Sequence, residues 1–163
     1  MTKVYRHYGC KAFDARKFKA VKNEPLFCKP VGGLWASPVR EDGSTGWEEW
    51  CRSEDFHVNL LRSHFDFSLS TGARLATINT LSDLQTLIER HRQPQDVRFA
   101  FACLVLDFEK LSADYDAIEL TDNGQCETRF SKQSLYGWDC ESVLVLTPAV
   151  VVPAMRSKMR KAG

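Results

Sequence analysis

The sequence predicts a mixed α+β domain whose strands pair mainly in an antiparallel way. Strand-like segments stand towards both ends of the chain with helices between them, and no regular βαβ rhythm connects them. A chain of 163 residues fits one domain and can bury a sizeable core. Its hydrophobic content of 44% and charged content of 26% are ordinary for a globular protein. We expect a single domain over residues 1–153 and a basic, flexible tail over residues 154–163.

The first two predicted strands are short, and glycines stand beside them. Val4 to Tyr8 is an aromatic and β-branched run that ends at Gly9. The second strand, Gly33 to Ala36, lies between a glycine pair and a Ser-Pro stop. Glycine permits backbone shapes and close ligand approaches that other residues forbid. Each segment is also compatible with an ordinary turn next to an ordinary strand.

The middle of the chain predicts two helices and a pair of strands. A short amphipathic helix, with Thr45 as its N-cap, places Trp47 and Trp50 at i and i+3. This spacing indicates core residues, and contact with a cofactor is the alternative. Two alternating segments then predict strands that form a hairpin or lie side by side. The clearest helix follows, with its leucines on one face. In order, these elements cover residues 47–56, 64–69, 73–78 and 82–91, the last capped by Thr80 or Ser82.

The last third of the chain contains the most strand-like run of the sequence. Residues 142–146 begin with a serine and continue as alternating valine and leucine, and Pro148 closes the run. Before this run we predict a short helix, a strand and a turn, and one apolar segment is ambiguous between a strand and a buried helix. These four segments are 107–112, 115–120, 122–124 and, for the ambiguous one, 99–106. Phe13, Phe18 and Phe27 are expected to anchor the Lys-rich segment 11–29 onto the sheet.

Charge and cysteine content narrow the class of protein. A net charge of +1 gives no electrostatic reason to expect a nucleic acid or a membrane as the partner. No signal-peptide h-region and no run of about 18 apolar residues is present, so we expect a cytoplasmic protein. The six cysteines contain no C-x-x-C pair, which favours reduced, isolated thiols. Clustered ligands at zinc-site spacing are missing from the sequence, so no metal is expected.

Two acids stand immediately before the last apolar run. Asp139 and Glu141 are two residues apart, so on an extended backbone their side chains share a face. Charges that lead into a core are costly unless they pair or take part in function. The simpler interpretation of Glu141 is an acid at the rim of a sheet edge.

Three segments, taken in this order, resemble the ADP-ribosyltransferase superfamily. Members of its His-Tyr-Glu branch carry a His on the first strand, Gly-x-Gly leading to Tyr on the second, and a Glu at the start of a late strand. The matching residues are His7 with Gly9, the segment 32–37, and Glu141 ahead of 142–146. Trp35 stands where the family has Tyr, which keeps a stacking ring and loses a hydroxyl. The resemblance covers residues 4–150 and implies an ADP-ribosyltransferase-like split β-sandwich, that is, two facing, mainly antiparallel sheets with a few peripheral helices.

The resemblance implies an NAD-dependent ADP-ribosyltransferase. Such an enzyme breaks the bond between nicotinamide and ribose in its substrate NAD and transfers ADP-ribose to a macromolecular acceptor, most simply a protein. The transition state is oxocarbenium-like, and a carboxylate near the ribose stabilises its charge. Glu141 is the catalytic candidate together with His7. Asp139 is the reserve, because Asp139-Cys140-Glu141 is similar to the Glu-x-Glu motif of the arginine-modifying branch.

The expected NAD site follows from the same resemblance. Nicotinamide is a flat aromatic amide, so Trp35 would stack on it, Gly9 would let the main chain approach the amide, and Ser37 would add a hydroxyl. His7 would hydrogen-bond a ribose hydroxyl, and the alternative is a structural His packed beside tyrosines with a backbone partner. The expected cofactor-binding residues are Arg6, His7, Tyr8, Gly9, Gly33, Leu34, Trp35, Ser37 and Asp139.

Alternatives remain for the branch and for the function. In the toxin branch an Arg on the first strand grips the cofactor phosphates, and Arg6 with Ser68 or Ser70 would match that pattern. Strand alternation places Arg6 and His7 on opposite faces, so we expect only His7 to line the cleft. Other functions are an RNA 2′-phosphotransferase, which near-neutral charge disfavours, and a degenerate member that binds a partner without turnover. A small toxin or a phage-encoded factor is the setting that the superfamily suggests.

Overall fold

The computed structural model describes residues 2–24, 29–92, 106–135 and 137–154. In these residues, seven strands and four α-helices form an α+β fold, as the sequence predicts. The strands are β1 (Tyr5–Tyr8), β2 (Leu34–Pro38), β3 (His64–Leu69), β4 (Leu75–Ile78), β5 (Ala117–Leu120), β6 (Ser142–Val145) and β7 (Val151–Pro153). The helices are α1 (Gly46–Ser53), α2 (Leu81–Arg90), α3 (Phe108–Asp114) and α4 (Asp122–Thr128). Short 3-10 helices cover Ala15–Lys17, Val58–Arg62 and Pro148–Val150.

The strands form one mixed sheet in the order β4-β5-β6-β2-β1-β3-β7. All neighbouring strands are antiparallel except β4 and β5, which run parallel. The expected sandwich of two facing sheets is therefore wrong. The reason is that β2 pairs with β6 on one side and with β1 on the other, which joins the two halves edge to edge.

The predicted hairpin of the third and fourth strands is also wrong. β3 lies between β1 and β7, whereas β4 is the edge strand at the opposite end of the sheet. β4 instead pairs in parallel with β5, from Leu75 opposite Ala117 to Ile78 opposite Leu120. Parallel neighbours need a long crossover connection, and α2 and α3 lie in that connection.

Helix caps agree with the local signals of the sequence in two of three places. The Thr45 hydroxyl accepts from the Glu48 backbone N–H at the start of α1, as predicted. Thr80 and Asp83 form a capping box at the start of α2. The predicted turn at residues 122–124 is instead the first turn of α4. The Thr121 hydroxyl accepts a hydrogen bond from the Gly124 backbone N–H and so caps this helix.

Two hydrophobic clusters cover the two faces of the sheet. One contains Trp138 and Leu144 and packs under α2 and α3. The other contains Phe67 and Val143. Alternation along β2 divides its residues accordingly, since Trp35 packs against the first cluster, while Leu34 and Ala36 belong to the second.

Some expectations concern residues outside the described part of the chain. Phe27, positions 99–105 of the ambiguous apolar run and tail residues 155–163 are among them. Within the described part, no helix has both the length and the apolar character that crossing a bilayer requires. The four described cysteines, Cys10, Cys51, Cys126 and Cys140, are free thiols.

Gly33 provides a test of how tightly β2 packs against β6. Its φ is +66°, and an added Cβ would lie 2.4 Å from Leu144 Cδ1. We expect Gly33→Ala to lower the free energy of unfolding by about 1–3 kcal/mol, since both backbone strain and a steric clash oppose it. Urea denaturation measures this. The control is Gly72→Ala, whose Cβ would meet no atom within 4 Å, and equal stability of the two variants would contradict the proposed packing.

Candidate functional site

A gap between β1 and β2 positions the candidate site. The two strands pair only from Tyr5 opposite Pro38 to Arg6 opposite Ser37. Beyond this point β1 continues to pair with β3 through Tyr8, while β2 pairs with β6. The carbonyl of Trp35 accepts a hydrogen bond of 2.6 Å from His7 Nδ1, so an imidazole replaces the next contact of the ladder.

A cavity of about 280 Å³ lies at this gap. Its wall combines residues of β1, of β2 and the segment before it, of the start of β6 and the segment before it, and of α1 and the segment that follows it. The lining residues are Arg6, His7, Tyr8, Lys29, Trp35, Ala36, Ser37, Trp47, His57, Leu60, Asp139 and Ser142.

Six of the ten predicted site residues meet in this cavity: Arg6, His7, Tyr8, Trp35, Ser37 and Asp139. The other four, Gly9, Gly33, Leu34 and Glu141, do not line it. The Gly9 N–H already donates to the Ser63 carbonyl at 2.7 Å, and Leu34 is buried in the core. Thus the structure brings together Asp139 and the polar and aromatic candidates of the first two strands. Gly9 and Gly33 instead have positive φ angles in the backbone next to these strands.

Arg6 and His7 both line the cavity, contrary to the expectation that only one would. Alternation itself holds, because the His7 ring packs against Phe65 on one face of the sheet, while Arg6 pairs with Asp66, which lies opposite it in β3. His7 reaches the cavity because the β1–β2 ladder stops beside it. No local signal in the sequence indicates where this ladder ends.

Trp35 and Trp47 form two aromatic parts of the wall around the ammonium of Lys29. The Lys29 Nζ lies 5.5 Å from the centroid of the Trp35 ring and 5.9 Å from that of Trp47. The same Nζ forms a 2.7 Å ion pair with Asp139 Oδ2. The rings of Trp35 and Trp138 make an edge-to-face contact, with centroids 4.7 Å apart.

Ser37 connects three parts of the site. Its hydroxyl donates to the Glu141 carbonyl at 2.9 Å and accepts from the backbone N–H of Trp47 at 3.2 Å. The residue is 1% exposed. The same oxygen also contacts Cys140 Sγ at 3.9 Å, and because a hydroxyl has a single proton to donate, Ser37 Oγ has no donor left for a ligand.

Glu141 lies behind this wall instead of inside the cavity. Its Oε1 accepts from Arg40 Nη2 at 2.8 Å, and its side chain is 10% exposed. The carboxylate packs on Gly46 at the start of α1, where an added Cβ would lie 2.3 Å from Oε2. A helix N-terminus favours a negative charge, so the structure accounts for Glu141 without a ligand. Its catalytic role stays a prediction, and Asp139 is the carboxylate that the cavity contains.

Arg6 is already engaged by protein groups. Its guanidinium forms a fork on Asp66, with N–O distances of 2.7 and 2.9 Å, and a further 3.1 Å bond to the Gly43 carbonyl. The hydrogen bonds to Asp66 raise the pKa of Arg6 above its ordinary value, against the opposing effect of desolvation. The Tyr8 hydroxyl contacts Thr45 Oγ1 at 2.8 Å and donates to Glu48 at 3.1 Å. A phosphate would have to compete with Asp66 for the Arg6 fork.

The α1 side of the cavity was expected only as an alternative. Trp47 and Trp50 were expected in the core, with cofactor contact as the alternative, but both are half-buried, and their rings stack with centroids 5.1 Å apart. The helix buries Gly46 and Cys51 instead. Tryptophans among charged residues in a short helix were the available signal for Trp47, whereas Lys29 has no local signal in its Lys-rich segment.

Burial sets the protonation of two further groups near the cavity. Desolvation raises the pKa of the Cys140 thiol to about 11, so it is not a thiolate at neutral pH. Desolvation also lowers the pKa of His7, against the opposing effect of its bond to Trp35. A neutral His7 that donates from Nδ1 has Nε2 as an acceptor. No group of His, Cys, Asp and Glu in the described residues is arranged to hold a metal ion.

The lowered pKa of His7 predicts a pH dependence of stability. The unfolded chain protonates His7 near pH 6.5, whereas the folded chain does so only at lower pH. The unfolded state therefore binds more protons in this window, and stability falls as pH decreases below about 6.5. His7→Asn keeps a donor for Trp35 and does not titrate. We expect it to lose less free energy of unfolding than the wild type between pH 7.5 and pH 5.

Urea denaturation at both pH values checks this expectation. The control is His57→Asn, which replaces an exposed imidazole at the same cavity. If His7→Asn and the wild type lose equal stability, His7 is not held neutral by burial.

Comparison with known proteins identified no family for this chain. No protein-family model matches it. No curated protein and no solved structure matches it either. What the cavity does must therefore be inferred from its own residues and their geometry.

Proposed function

We propose that the protein is an NAD-dependent ADP-ribosyltransferase, which transfers ADP-ribose from NAD to a macromolecular acceptor and releases nicotinamide. One observation supports this most. The three sequence segments that resemble the superfamily lie on or directly before β1, β2 and β6, which are adjacent strands. Although more than a hundred residues separate the first segment from the last, Tyr8, Trp35 and Asp139 line one cavity.

The cavity suits one end of NAD better than the whole molecule. Its volume of about 280 Å³ is at the small end of ligand pockets, which span about 300–1,000 Å³. The nicotinamide ring would enter between Trp35 and Trp47, where two indoles offer stacking surfaces. The adenosine end would then lie along the open surface beside α1. His7 would accept a hydrogen bond from a ribose hydroxyl at Nε2.

Cleavage of the nicotinamide–ribose bond needs a negative charge near the ribose as its positive charge develops. Asp139 is in the cavity wall, and Glu141 lies behind Ser37, whose hydroxyl binds the Glu141 carbonyl. We retain Glu141 as the catalytic candidate, which requires that its carboxylate leave Arg40 when NAD binds. Asp139 remains the reserve. The acceptor is expected to be a protein.

Two tryptophans of one helix give a matched test of NAD binding. Trp47 lines the cavity, while Trp50 stacks on it and does not. We expect Trp47→Ala to weaken NAD binding by about 1–2 kcal/mol through lost stacking and burial, and Trp50→Ala to change it by less than half as much. Isothermal calorimetry measures both. Equal losses would remove the cavity as the binding site, and no heat with the wild type would end the NAD assignment.

Glu141→Gln tests the catalytic role. The carboxamide keeps an oxygen that accepts from Arg40, so the fold should survive. We expect transfer to fall by about 10²–10³-fold, while NAD affinity changes only a few-fold, because the charge acts in the transition state. Labelled NAD in a cell lysate measures transfer and displays the acceptor. Asp139→Asn serves for comparison, and full activity of Glu141→Gln with loss in Asp139→Asn would transfer the role to Asp139.

A second candidate function is an NAD-binding protein that has lost turnover. The position of Glu141 favours it, since this carboxylate is paired with Arg40 and lies outside the cavity wall. Saturable NAD binding by the wild type, with neither transfer nor nicotinamide release in any lysate, would select this alternative. An RNA 2′-phosphotransferase is less suited, because Arg6 and Lys29 in the wall are both held by acids.

A further inference from the structure

We propose that the cavity is a binding site for an organic cation and that the ammonium of Lys29 is its internal occupant. A positively charged, flat ligand would take the place of this ammonium. The proposed function is needed only to name the natural cation, which would be the nicotinamide ring of oxidised NAD.

Three groups from separate parts of the chain converge on the Lys29 Nζ. Trp35 comes from β2, Trp47 from the first turn of α1, and Asp139 from the segment before β6. The ring centroids of Trp35 and Trp47 lie 5.5 and 5.9 Å from Nζ, and the Asp139 carboxylate oxygen lies 2.7 Å from it. Aromatic faces together with a carboxylate are the usual means of recognising organic cations. Lys29 therefore occupies a site with the composition of an aromatic cage.

Charge balance determines what can replace Lys29. Asp139 is only 24% exposed at its side chain. A neutral ligand that displaced Lys29 would leave this carboxylate partly buried without a partner, which is costly. A ligand that brings its own positive charge restores the ion pair and also keeps the contacts with the two indole rings. The site thus selects a cation over a neutral molecule of the same shape.

Two small probes of matched shape separate charge from shape. Nicotinamide is neutral, and 1-methylnicotinamide is a monocation with the same ring and amide. Neither contains ribose or phosphate, so binding of the pair does not depend on turnover. We expect the wild type to bind the cation about tenfold more tightly than the neutral probe.

Removal of the internal ammonium should strengthen binding of the cationic probe. The affinity of a site that is occupied most of the time is reduced in proportion to its free fraction. We therefore expect Lys29→Met to bind 1-methylnicotinamide about tenfold more tightly than the wild type. Nicotinamide should gain less. Lys22→Met is the matched control, since Lys22 forms a 2.7 Å ion pair with Glu109 and does not line the cavity.

Calorimetric titration of the full chain with both probes decides between the outcomes, after thermal melting has shown that each variant is folded. Unchanged or weaker cation binding in Lys29→Met, or equal binding of the two probes, overturns the cation site. Asp139→Asn gives a second arm, because loss of the carboxylate should reduce the preference for the cation, while the two indole rings remain. If the cation site behaves as expected but NAD does not bind, the cation site stands and the proposed function fails. If NAD binds and is cleaved, but Lys29→Met binds the cationic probe no more tightly than the wild type, the proposed function stands and the cation site fails.

Discussion

The short ladder between β1 and β2 is the constraint on which the site depends. Two residue pairs join these central strands, and then the strands pair only with their outer neighbours. The sheet stays continuous, yet β1 and β2 are not paired with each other beyond these two residue pairs, and the cavity lies beside them. At the end of this ladder, His7 Nδ1 donates a hydrogen bond to the Trp35 carbonyl. A cavity can therefore form in the interior of the sheet, with its aromatic wall supported by the core.

Pairing of charges is the second property of the site. Arg6 is held by Asp66, Lys29 by Asp139, and Glu141 by Arg40. Any charged ligand must therefore exchange partners with a group of the protein, and selectivity follows from which ion pair it replaces. This also explains why near-neutral net charge is compatible with a charged substrate: the relevant charges are local and already compensated.

The sequence predicted correctly those helices and strands that a local pattern, such as a capping residue or a β-branched run, identifies. The caps at Thr45 and Thr80 and the β-branched run of β6 identified their elements. Pairing was less predictable, because the parallel partner of β4 arrives some forty residues later, and a Ser-Thr-Gly spacer is equally suited to a hairpin. For the same reason Lys29 was missed, since its role depends on two tryptophans that only the tertiary fold brings to it.

The indole N–H signals of the protein in a two-dimensional NMR spectrum test the central claim most directly. The chain contains four tryptophans, and single substitutions assign their signals. If NAD binds at the gap between β1 and β2, titration with NAD should shift the signals of Trp35 and Trp47 most, with smaller effects on the neighbouring Trp50 and Trp138. No shift at saturating NAD, or a dominant shift of Trp50 alone, would contradict the account.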